Sequence, residues 1–81
     1  MRNEHQNRLR HEAIATVEDI YRLLTEDKAD TALKMAVEKQ TNLEMRGANV
    51  DVLDILADAE FILRGHDEPE GEMKTHLENY D

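Results

Sequence analysis

The first 46 residues contain neither glycine nor proline. A stretch that long without a breaker, built mainly from Ala, Leu, Glu, Arg, Met and Lys, is committed to helix. No segment alternates apolar and polar residues with the period of two that a half-buried strand requires. The fold class that follows is all-α: a small three-helix domain with a short fourth helix as an option.

Apolar spacing places the helices. The first is expected over residues 3–24, with Leu9, Ala13, Ile14, Val17, Ile20, Tyr21 and Leu24 on one face. Asn3 is positioned to cap it, Gln6 to close the reciprocal half of that cap, and Glu18 to pair with Arg22 at i,i+4. No glycine ends this helix, so Thr25-Glu26-Asp27-Lys28 is read as the connection and Asp27 or Asp30 as the next cap. The second helix is expected over residues 28–46, with a stripe of Ala29, Ala32, Leu33, Ala36, Val37, Gln40 and Leu43. Gln40 interrupts that stripe and reads as a half-buried residue at the edge of a seam, or as a polar specifier of register. Met35 and Met45 lie off it.

Arg46-Gly47-Ala48-Asn49 is the clearest punctuation in the chain. A basic last turn followed by glycine stops a helix, and Asn49 is a good cap for the next one. The third helix, over residues 50–64, is the most apolar. Val52, Ile55, Leu56, Ala59, Ile62 and Leu63 form one face, and Val50, Leu53, Ala57 and Phe61 form a second row. Two apolar faces call for two neighbours, so this helix is expected at the centre of the fold or at a homodimer seam. The expected core combines Leu9, Ala13, Val17, Ile20, Leu24, Leu33, Ala36, Val37, Leu43, Val52, Ile55, Leu56, Ala59, Ile62 and Leu63.

Residues 1–65 therefore read as the helical domain and residues 66–81 as an acidic linker and tail. Within the tail, residues 72–80 would make a short helix with Met73, Leu77 and Tyr80 on one face. A helix so short needs docking, in the chain or on a partner, to persist, and a disordered tail is the alternative.

Charge is distributed unevenly along this plan. Residues 1–46 carry eight Lys/Arg against nine Asp/Glu, whereas residues 47–81 carry two against ten. The net charge is −9, and eight of those nine charges belong to the last 35 residues. Part of this excess lies on the third helix, where Asp51, Asp54 and Asp58 at i, i+3 and i+7 form a stripe between the two apolar rows. The basic residues Arg2, Arg8 and Arg10 gather in the opposite half. They read as surface scatter, with two alternatives: contact with the acidic half, in the same chain or a neighbouring one, or a weak contact to a partner such as nucleic acid.

Several function classes lack their chemistry here. Serine and cysteine are absent, and none of the five threonines stands beside a base in a nucleophile motif. His11-Glu12 opens like a zinc-protease motif but has Ala15 four positions later. The remaining histidines read as solvated. The three glycines are too scattered to cradle phosphate, and no calcium-loop pattern occurs. No catalytic residue, cofactor or metal is therefore expected, and the chain reads as a non-enzyme. Direct nucleic-acid binding is disfavoured by the acidic balance and by having only three aromatic residues, Tyr21, Phe61 and Tyr80. No apolar run suits a membrane span, and the polar start suits no secretory leader, so a cytoplasmic protein is the default expectation.

The function that remains is a non-catalytic interaction module: a small acidic regulator or inhibitor docking on a basic surface of a larger protein, such as a nucleic-acid-binding protein. Its expected contact residues are Asp51, Asp54, Asp58, Phe61, Met73, Leu77 and Tyr80. Two alternatives share the composition. One is a nucleic-acid mimic whose carboxylates stand in for phosphates. The other is a structural homo-oligomer, a homodimer joined through residues 50–64. Small, acidic, cysteine-free helical chains of this style recur among phage-encoded host-modifying proteins, which is an analogy of style alone.

Overall fold

The computed structural model describes residues 4–65 and 67–80. Four helices follow one another: α1 (Glu4–Thr25), α2 (Ala29–Met45), α3 (Val50–Gly65) and α4 (Pro69–Glu78). No strand occurs among the described residues. The expected boundaries of the first three hold to within one or two residues. The tail helix begins earlier than expected, because Pro69 sits in its first turn, where a missing N–H and a fixed φ suit a helix start.

Two chain reversals bring α1, α2 and α3 side by side, and both are closed by the same device. After α1 the Lys28 N–H donates to Leu23 O at 2.9 Å and the Asp27 N–H to Leu24 O at 3.1 Å. After α2 the Ala48 N–H donates to Leu43 O at 3.0 Å and the Gly47 N–H to Glu44 O at 3.1 Å. These paired bonds place Asp27 and Gly47 in the left-handed region, with φ of 62° and 87°. At Gly47 a side chain would meet only His5 Nε2, at 3.9 Å, so conformation rather than space demands glycine there. Asp27 does the same task at some cost, since a Cβ is strained in that region. Asp27 therefore closes α1 rather than capping α2, correcting the expectation. The residue before α2 is Lys28, and no side chain caps that helix. Asn49 does cap α3 as expected, accepting from the Val52 N–H at 3.1 Å.

Further local expectations are corrected. Arg22 pairs with Asp19 at 2.7 Å, at i,i+3, instead of with Glu18. The reciprocal cap expected between Gln6 and Asn3 lies outside the described residues on its Asn3 side. The Gln6 amide reaches the α2–α3 turn, donating to Gly47 O at 2.9 Å and accepting from the Asn49 N–H at 2.8 Å. His5 adds a bond from Nε2 to Arg46 O at 2.8 Å. The proposed cap Asn3 lies outside the described residues.

Both α1 and α3 pack against all three other helices, while α2 and α4 do not pack on each other. The centre is thus an α1–α3 pair, with α2 on one side and α4 on the other. The core draws on all four helices: Leu9, Ala13, Val17, Ile20 and Leu24; Ala32, Ala36 and Leu43; Val52, Ile55, Leu56, Ala59 and Ile62; and Met73. Three expected core residues sit further out. Leu33 and Leu63 are half-buried and Val37 is exposed. The inward face of α2 runs through Ala32, Ala36 and Leu43, and Leu33 and Val37, each one position further on, are rotated to its rim. Gln40 is half-buried, as the seam-edge reading expects. Met35 packs against the core and Met45 stays exposed.

Candidate docking surface on α3

The second apolar row of α3 is the one left partly uncovered. Val50 and Phe61 at its ends are both 68 % exposed, while Leu53 and Ala57 between them are half-buried. Asp51, Asp54 and Asp58 are all exposed on the same helix. With a rise of about 1.5 Å per residue, the three carboxylates are anchored along about 10 Å of helix. Among the described residues no three His, Asp or Glu side chains group as a metal site would require.

The acidic stripe has neighbours within the chain. Tyr80 packs against the core beside it, and the Arg10 guanidinium lies over the Tyr80 ring, 5.5 Å from its centroid. Burial raises the Tyr80 phenol above its ordinary value, the carboxylates of Asp58 and Asp54 add to the rise, and Arg10 opposes it. The basic start of α1 is thereby brought to the acidic half in cis, through Arg10. Arg8 is exposed, and Arg2 lies outside the described residues.

The tail residues expected to meet a partner face inward instead. Met73 is fully buried in the core, which removes it as an anchor for another protein. Leu77 and Tyr80 are half-buried and pack against that core. Just before Leu77, His76 is buried, donating from Nε2 to Ile55 O at 2.9 Å and meeting the Tyr80 ring edge-on at 5.2 Å. It corrects the reading of the histidines as solvated at this one position: His5 and His11 are exposed, and His66 lies outside the described residues. Met73, His76 and Tyr80 are spaced i, i+3, i+7, so the inward face was visible as a helical spacing once histidine was admitted to it. Of the seven expected contact residues, Asp51, Asp54, Asp58 and Phe61 thus remain at the surface.

Two glutamates that composition could not single out have the most specific surroundings. Glu12 joins α1 to α2. Its Oε1 accepts from Lys39 at 2.9 Å and from Arg46 at 2.8 Å, and its Oε2 from Arg46 at 2.7 Å. The Arg46 and Lys39 bonds lower its pKa from 4.5 to about 2. Glu60 is the opposite case. It is only 9 % exposed, Oε1 has one long contact to Arg64 at 3.4 Å, and Oε2 is buried with no hydrogen-bond partner. Glu60 lines an open groove of about 410 Å³ between α2 and α3, together with Gln40, Ala57, Phe61, Arg64 and Gly65. Its sequence position carried a signal: Leu56 and Leu63, four before and three after, share its side of the helix.

No protein-family model matches the chain, and no curated protein or solved structure matches it. No helix among the described residues is long and apolar enough to cross a membrane.

Proposed function

We propose that this protein is a non-catalytic interaction module that lays the outer face of α3 on a basic surface of a larger protein, acting there as a regulator or inhibitor. The observation that carries the reading is the pairing of three exposed carboxylates with an exposed aromatic on one rigid helix: Asp51, Asp54, Asp58 and, one turn further on, Phe61. The carboxylates steer a basic partner and fix its register, since opposed charge raises encounter rates more than it holds a complex together. Phe61 supplies apolar area of the kind that does hold, because aromatic anchors dominate interface energetics. Leu77 and Tyr80 belong to the support of this face, and Met73 to the core beneath it.

The test is capture with three baits: the wild-type chain, the triple variant D51N/D54N/D58N, and Phe61→Ala. A partner that binds the wild type, is lost with the triple variant and weakens with Phe61→Ala supports the reading. A protein retained equally by all three baits defeats it. Competition by duplex DNA, with a steep loss of affinity as salt rises, would instead identify a nucleic-acid mimic. Self-association of the wild type that Phe61→Ala abolishes would identify a homo-oligomer.

A further inference from the structure

A carboxylate taken out of water is expensive unless its oxygens receive N–H or O–H donors. Glu60 meets that condition on one oxygen only, and weakly. Arg64 Nη1 stands 3.4 Å from Oε1, against 2.7–2.9 Å for the charged contacts to Glu12. Oε2 receives nothing. Arg64 itself is mostly in solvent, with 59 % of its side chain exposed. The groove that Glu60 lines is also lined by Gln40, a residue with a neutral amide, and by the apolar Ala57.

We infer that the α2–α3 groove is a receptor for one arginine side chain of a protein partner, whose guanidinium meets the Glu60 carboxylate at the groove, the buried Oε2 turning outward to accept from it, while its stem lies along Ala57. Guanidinium fits better than ammonium because its rigid fork delivers two parallel N–H groups and is less strongly hydrated. The existing Arg64 contact makes the site adjustable: its long reach lets the incoming cation share or take over Oε1. This inference deepens the reading of a basic protein partner and rests on it for the partner's nature. The groove chemistry is nevertheless separable from the acidic stripe, because Asp51, Asp54 and Asp58 do not line it.

The test is a two-dimensional amide NMR titration of the full chain with N-acetyl-arginine amide, and with N-acetyl-citrulline amide as the neutral isostere. The arginine probe should give saturable shifts in the millimolar range, centred on Gln40, Ala57, Phe61 and Gly65, and the citrulline probe should not. Glu60→Gln keeps the shape and removes the charge, and should weaken binding by about tenfold. Arg64→Gln removes the internal competitor from an exposed position and should tighten binding by about threefold. The D51N/D54N/D58N variant should leave the groove response in place. Equal shifts with the two probes, shifts confined to the acidic stripe, or an unchanged response in Glu60→Gln would each overturn the inference. The titration needs no partner, so a silent groove beside a captured basic protein would sink the groove alone. A responsive groove with nothing captured would sink the partner reading alone.

Discussion

The two helix–helix seams on either side of α2 handle a carboxylate in opposite ways. At the α1–α2 seam Glu12 stays near the surface and both of its oxygens are used by cations. At the α2–α3 seam Glu60 is deeper, and one of its oxygens is left with no donor. Their reversals show the converse. The α1–α2 turn forces an aspartate, Asp27, into the left-handed region, whereas the α2–α3 turn relaxes into Gly47. Each seam therefore holds one strained element and one settled element, in opposite places. The strain at Asp27 is a backbone matter at the far end of the hairpin. The shortfall at Glu60 is one of hydrogen-bond donors, on a buried side chain at the edge of a groove.

The largest expected effect falls on the settled carboxylate. Glu12→Gln should lower stability to urea by about 1–2 kcal/mol, less than its full pKa displacement corresponds to, because the carboxylate remains partly in water. The effect should depend on pH with a definite sign. Glu12 has its pKa lowered from 4.5 to about 2 by Arg46 and Lys39, so its contribution is complete above pH 4.5 and disappears as pH falls toward 2. The wild type should lose stability through that window, and the variant should show a shallower loss. Identical profiles would mean that the clamp holds nothing.

Glu60→Met should act in the other direction, raising stability by about 1 kcal/mol, since removing an unsatisfied buried carboxylate removes its desolvation penalty. Thermal or urea unfolding of the same pair of proteins would show it. A loss instead of a gain would place Glu60 among the settled groups and erase the contrast between the seams. The smallest effect belongs to the turn. Asp27→Gly should gain about 0.5 kcal/mol, because glycine adopts the left-handed conformation without a Cβ penalty. A loss there would mean that the Asp27 side chain contributes something that outweighs its backbone.

What the sequence disclosed and what it hid divide along the same line. Local rules placed the helices: the breaker-free first half, Gly47 with Asn49, and the apolar spacings all act within a few residues of one another. The all-α class and three of the four helix spans follow from them. The pairing of Glu12 with Lys39 and Arg46 spans 27 and 34 positions, and depends on which face of α2 meets α1. No spacing rule within one helix contains that information. Glu60 and His76 were hidden for a different reason. Each is a polar residue on an apolar face, and a polar side chain gives no local sign of its own burial. The surface aspartates were legible as a stripe, while the presence of Tyr80 and Arg10 beside them required α4 to dock across α1 and α3.

That docking has a consequence for synthesis. The helix that covers the outer side of the α1–α3 pair is encoded after everything it covers. At ordinary elongation rates of about 5–20 residues per second, the ten residues of α4 take on the order of one second to be made. Until they emerge, the surface that will receive Met73 and His76 is bare, and its apolar groups are open to other newly made chains or to a chaperone. Substitutions at Met73 should therefore be felt first as a lower yield of the folded protein in cells, before any change in what the finished molecule binds.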